Sequence, residues 1–430
     1  MERIQIISNH LVAGEIKQQK KAQPSATDFF DFDGLLTEKE LAIRKKAEKF
    51  AKEEINSLNI NEYYERAEFP LPIIERLKGL NWVGANIKGY GSPELTSMEL
   101  GLIAMEISKS SADIATFYTI LLNITMLAIY YSGSEQQKQY YLPKMTSLEK
   151  IGAFALTEPE AGSDAAGLKC TAKQLPNGAG WILNGEKRWI GNAPMADIIV
   201  IWARNIDTNK IHGFILEPSK VASGGDQLRI ETLQKKFAFR SVQNGHIFMK
   251  DCFIAEDQRL TNALDFNSGP GKCLFLTRIV VGWIALGVAS NAYEKCLQYV
   301  KQRNQFGQPL AQFQLVQERL VKMCSNIQAI SLMCHRVSQL FDQGKLSSGQ
   351  VGLLKAFSTS KAREVVSMAR ELFGGNGILL DDIGRNFLDM EGIYTFEGTY
   401  DVNTLIAARE ITGLSAISSI NHSKSQQQQK

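Results

Sequence analysis

Trp181-Ile182-Leu183-Asn184-Gly185-Glu186-Lys187-Arg188-Trp189-Ile190 is the stretch that decides how the chain divides. Two apolar runs flank an Asn-Gly pair, the combination that supplies two positive φ values at a tight turn, so the stretch reads as a β-hairpin. Strand-like runs continue beyond it at 198–202, 213–216 and 246–249, which predicts a β domain over 151–262. On either side the period is helical. Upstream, over 34–150, Thr37 and Glu40 form a capping box ahead of Leu41, Ala47, Phe50 and Ala51, and further helices are expected near 72–80, 95–108 and 115–131. Downstream, over 263–418, helices are expected at 273–303, 309–343, 348–373 and 399–415. Along the first of these, Leu276, Val280, Trp283 and Tyr293 mark an apolar stripe, with small residues at Gly282, Ala285, Gly287 and Ala289, as where helices pack closely in a bundle. Residues 1–33 read as a polar extension and 419–430 as a polar tail. The order is helices, β domain, helices: an α+β multidomain chain.

At 430 residues there is room for two or three domains and ample core. The net charge of +3 is small and the two signs are interleaved, so charge argues for neither nucleic acid nor an anionic membrane. The six cysteines (170, 252, 273, 296, 324 and 334) form no CxxC pair and no metal-ligand spacing with the five histidines, so reduced core thiols and no metal are expected. No run of about eighteen consecutive apolar residues occurs, so no integral membrane segment is expected. No GxGxxG follows a strand and no Walker A loop is present, which excludes the usual α/β dinucleotide site.

Near the carboxyl end, Tyr394-Thr395-Phe396-Glu397-Gly398-Thr399-Tyr400-Asp401 sets one carboxylate among aromatics with a glycine directly after it. Read alone, Glu397 is either a solvated loop carboxylate or a base whose pKa is raised by lost hydration, with Gly398 admitting a close approach of substrate to the backbone.

Five longer motifs decide between these. Phe154-Ala155-Leu156-Thr157-Glu158-Pro159-Glu160-Ala161-Gly162-Ser163-Asp164, Asn184 to Asn192, Arg303-Asn304-Gln305-Phe306-Gly307, Phe373-Gly374-Gly375-Asn376-Gly377 and Phe396-Glu397-Gly398-Thr399 stand in the order and spacing of one family. The chain resembles the acyl-CoA dehydrogenase and oxidase superfamily from residue 37 to about 416. Within it, the chain is most similar to the glutaryl-CoA dehydrogenase branch and the plant-type short-chain peroxisomal acyl-CoA oxidases. The resemblance implies a helical bundle, a β-barrel and a four-helix bundle. It implies FAD as cofactor, met by Phe154, Leu156, Thr157, Ser163, Trp189, Gly191 and Thr399, and by Arg303, Phe306, Glu371, Gly374, Gly375 and Gly377 from a neighbouring subunit of a homotetramer. Glu397 is the implied base, taking the α-proton of an acyl-CoA while the β-hydrogen leaves as hydride. Ser163, Arg278, Gly398 and Arg409 are implied substrate contacts. Some relatives carry the base at the position of Thr277 instead, an arrangement that threonine cannot serve.

Departures from the family pattern refine this. Ala115 stands where glutaryl-CoA dehydrogenases have an arginine for the substrate's free carboxylate, and a buried carboxylate without its partner is costly. A short, monocarboxylic acyl-CoA is therefore expected. Gly191 replaces the usual Thr or Ser hydroxyl near the flavin, which either changes the hydrogen bonding of reduced flavin or opens room for oxygen. Glu371 replaces a common amide, which puts its adenosine-side contact in question. Arg3-Ile4 and His10-Leu11 resemble an amino-terminal peroxisomal address, with the mitochondrial matrix as the rival. Gly191 and this address together favour an oxidase returning electrons to O2. The alternatives are a dehydrogenase serving electron-transfer flavoprotein and a silent assembly subunit, the latter opposed by intact Glu397, Arg303 and Trp189.

Overall fold

The computed structural model describes residues 27–221 and 226–416. The address-like stretch from Arg3 to Leu11 and the polar tail lie outside them.

The amino-terminal domain is helical: α1 (Glu38–Phe50), α2 (Ile60–Arg66), α3 (Pro72–Lys78), α4 (Ser97–Ser110), α5 (Ala112–Ser132) and α6 (Glu135–Thr146). Thr37 closes the expected capping box, its hydroxyl accepting from Glu40 N while Glu40 Oε2 accepts from Thr37 N. The carboxyl-terminal domain packs α7 (Lys272–Gln302), α8 (Gln314–Asp342), α9 (Ser348–Leu372), α10 (Arg385–Thr395) and α11 (Tyr400–Thr412). The small residues of α7 are used as expected. A Cβ on Gly287 would lie 2.2 Å from the carbonyl oxygen of Met105, so only glycine lets α7 and α4 approach this closely. Two helical stretches, 112–132 and 267–302, are long and apolar enough to cross a membrane, but 94% and 83% of their apolar windows are buried inside the protein. They are core helices.

Between the helical domains, β1 (Gly152–Ala155), β2 (Thr171–Gln174), β3 (Gly180–Gly191), β4 (Ile198–Asn205), β5 (Ile211–Leu216), β6 (Leu228–Thr232), β7 (Asn244–Ala255) and β8 (Arg259–Leu260) form one sheet. Its order is β6-β7-β3-β2-β4-β5-β8, with β1 against β4. The expected hairpin is corrected here: 180–191 is a single strand. It pairs with β2 on one side, Thr171 opposite Asn184, and with β7 on the other, Gly185 opposite Met249. Asn184-Gly185 falls at a register shift, so the pair makes a bulge, and the Asn184 side chain exchanges hydrogen bonds with Asp251 instead of turning the chain.

Two further expectations shift. The helix expected from 309 begins at Gln314, because β9 (Asn304–Gln305) and β10 (Gln308–Pro309) fold into a small hairpin ahead of it. Helix α10 was not anticipated. It carries Asp389, which accepts from Tyr64 Oη of the amino-terminal domain at 2.8 Å and from Phe239 N of the middle domain at 2.7 Å. Burial lifts the Asp389 carboxyl to about 6. One apolar core joins the two helical domains, and a second lies within the sheet.

Candidate active site

Helix α10 ends at Thr395, and the chain then turns through two left-handed residues, Glu397 (φ 55°) and Gly398 (φ 85°), before Thr399 caps α11 by accepting from Val402 N. A left-handed Glu is strained and persists only where its surroundings hold it. Three side chains do so through the loop's carbonyls. Arg278 Nε donates to Glu397 O at 3.2 Å. Asn403 Nδ2 reaches the carbonyls of Glu397, Gly398 and Thr399 at 3.4, 2.8 and 3.0 Å. Lys355 Nζ donates to Tyr394 O at 2.8 Å and Gly398 O at 2.7 Å. With the carbonyls so engaged, the Glu397 N–H donates to no acceptor among the described residues.

The residue is partly exposed, and burial among its neighbours raises the pKa of its carboxyl above the usual carboxylate value. Opposing that rise are a hydrogen bond from Thr277 Oγ1 to Glu397 Oε2 at 2.7 Å and the charges of Arg278 and Lys355. The setting is therefore more polar than the aromatic neighbours in sequence suggest: Tyr394 and Tyr400 stack on each other, and Phe396 packs against Phe239. Thr277, which cannot serve as a base, instead holds one oxygen of Glu397 and leaves the other without a hydrogen-bond partner among the described residues. Arg278 spends its Nε on the base loop.

The middle-domain residues expected to meet the flavin gather around a second buried feature. Lys187, fully buried, donates to Glu158 Oε1 at 2.8 Å and to Leu156 O at 3.0 Å, and Glu158 also accepts from Lys169 N and Cys170 N. This pair ties down the loop that follows β1 and carries Thr157 and Ser163. Leu156 is buried there, whereas Phe154 is partly exposed beside Trp202. In β3 a register shift between Lys187 and Ile190 puts Trp189 at φ 65° and leaves its large indole 54% exposed. An exposed indole flanked by the Thr157 and Ser163 loop fits an aromatic ring system with an anionic tail. The room expected at Gly191 is not vacant: a Cβ there would lie 2.5 Å from Leu121 Cδ1, so Leu121 occupies the place a side chain would take.

The remaining residues lie elsewhere. Arg303 follows the end of α7, Phe306 sits at φ 52° and 94% exposed in the β9–β10 turn, and Gly374 and Gly375 are exposed beyond α9. Tyr299 stacks on Phe373 and joins the two segments. Glu371 is exposed and faces Arg319 at 3.6 Å. Thr277 and Arg303 stand at opposite ends of α7, about 39 Å apart at 1.5 Å per residue. One chain therefore brings Glu397 and the Arg303 group to separate places. Arg409 is exposed in the last turn of α11. The supports of Glu397 that the sequence reading missed, Lys355 and Asn403, left one signal: Lys355 is a lone cation in Leu353-Leu354-Lys355-Ala356-Phe357.

Residues 37–149, 153–252 and 271–412 match the acyl-CoA dehydrogenase N-terminal, middle and C-terminal domain families respectively. The chain is 29% identical over 419 residues to a mitochondrial isovaleryl-CoA dehydrogenase of Arabidopsis thaliana, covering 92% of this chain and 96% of that one. It is 28% identical over 376 residues to the caffeyl-CoA reductase–Etf complex subunit CarC of Acetobacterium woodii, covering 86% and 97%. A crystal structure of a Mycobacterium smegmatis glutaryl-CoA dehydrogenase in complex with FADH2 superposes with a TM-score of 0.86 at 28% identity, covering 92% of this chain and all of that one.

Proposed function

The chain belongs to the acyl-CoA dehydrogenase family, and on that premise we propose that it dehydrogenates a short, monocarboxylic acyl-CoA to the trans-2-enoyl-CoA and delivers the electrons to an electron-transfer flavoprotein. FAD is the cofactor of this family, and when bound it supplies the acceptor for the hydrogen that leaves the β-carbon as hydride. Thr157, Ser163 and Trp189 would hold it.

The observation that carries the reading is the setting of Glu397: a left-handed corner held by three side chains, with one carboxyl oxygen bonded by Thr277 and the other free to take the α-proton. An α-proton beside a thioester is too weakly acidic for an unaided carboxylate. The unengaged Glu397 N–H is a donor available to the thioester oxygen as negative charge grows there. Ala115, which stands where the resemblance places an arginine for a second carboxylate, supports a substrate without one.

Two observations support a protein acceptor over oxygen. The relatives include an Etf-complex subunit and a dehydrogenase, and Leu121 fills the space that Gly191 leaves. The experiment is to reduce the yellow enzyme anaerobically with butyryl-CoA, then admit air in one sample and electron-transfer flavoprotein in another. Reoxidation by the flavoprotein, with the air sample staying bleached over many turnover times, is expected. Rapid reoxidation in air with hydrogen peroxide formed would make it an oxidase.

A further inference from the structure

Lys355 lies on α9, not in the loop that carries Glu397, and its side chain is fully buried. A buried ammonium is costly unless it is paired and hydrogen-bonded. Its two bonds go to carbonyls: Tyr394 O in the last turn of α10, where helix carbonyls lack intrahelical partners and carry the negative end of the dipole, and Gly398 O in the left-handed corner. The charged groups that face it are Glu397 from the loop and Arg278 from α7. Burial brings its pKa down to about 7, and the Glu397 charge opposes that fall.

We propose that Lys355 is a positioning residue for the base: it clamps the end of α10 to the Glu397–Gly398 corner, and its positive charge, carried on the acid side of neutrality, favours the ionised form of the Glu397 carboxyl. This rests on the reading of Glu397 as the base. An uncharged residue at 355 removes a cation from beside the base, so the pKa of Glu397 rises and the fraction of enzyme holding an ionised base below neutral pH falls. The loss shrinks at alkaline pH, where Glu397 is ionised with or without the lysine. A clamp that acted through shape alone would slow the reaction equally at every pH.

The test is the rate of anaerobic flavin reduction by butyryl-CoA from pH 6 to 9 in FAD-loaded wild type, Lys355→Met and Lys355→Gln, with Glu397→Gln as control. Lys355→Met is expected to shift the acid limb upward by about one unit, a loss that approaches about tenfold on the acid side of the limb and closes toward pH 9. Lys355→Gln, which keeps N–H donors without charge, is expected to show the same shift with a smaller loss at high pH. If Lys355→Met does not fold, the Lys355→Gln profile decides. A variant profile parallel to wild type, whether slowed or not, overturns the proposal while leaving Glu397 as the base. Wild-type reduction by Glu397→Gln overturns the base assignment itself.

Discussion

At Glu397 two influences oppose each other, and burial is the larger. Burial pushes the carboxyl toward its neutral form, and the Thr277 hydroxyl with the Arg278 and Lys355 charges pulls it back. Thr277→Val keeps the shape and removes the hydrogen bond. The acid limb of flavin reduction should then move to higher pH by about one to two units, because a bond to a charged group is worth about 1.5–3 kcal/mol and one unit about 1.4. Thr277→Ser should restore the wild-type limb. A profile unchanged in Thr277→Val would show that the hydroxyl does not act on the base. Leu121 and Gly191 form a second residue-scale pair. Gly191→Ser places atoms where Leu121 stands and should cost about 1–3 kcal/mol by overpacking. Leu121→Ala should relieve most of that cost, so thermal melting of the double variant should lie above the value expected from adding the single effects.

At the scale of elements, the loop after β1, proposed to meet the flavin, depends on a buried ion pair. Lys187→Met leaves the Glu158 charge buried without its main partner and should destabilise by about 3–5 kcal/mol. It should also lower the bound flavin per chain, read from the ratio of visible to ultraviolet absorbance, because Thr157 and Ser163 lose their support. Full flavin content with wild-type melting would contradict this. The succession of elements was legible because periods of 2 and 3.6 are local properties of sequence. The Asn-Gly misreading has a physical origin: a turn and a bulge both need the same permissive backbone, and only the pairing of β3 with β2 and β7 on its two sides distinguishes them. Glu397 was legible from its motif, but its supports were not. Thr277 reaches it across 120 residues and Lys355 reaches Gly398 across 43, and a lone Thr or Lys within an apolar helix carries no mark of what it faces.

For the whole molecule, the separation of about 39 Å along α7 between the base and the Arg303 group has a consequence for assembly. If Arg303 and Phe306 meet the flavin of a neighbouring copy, each site is shared between chains. Arg303→Glu and Glu397→Gln should then each be inactive alone, whereas co-expressed chains that form mixed oligomers should recover activity. Absence of recovery in isolated mixed oligomers would mean that each chain completes its own site. The proposed role of Glu397 as the base of an acyl-CoA dehydrogenation is tested most directly by anaerobic mixing of butyryl-CoA with wild type and Glu397→Gln while the flavin absorbance is followed. Rapid bleaching in wild type, with yellow, folded, ligand-binding Glu397→Gln that is not rapidly reduced, is the predicted result. Bleaching of Glu397→Gln at the wild-type rate would contradict it.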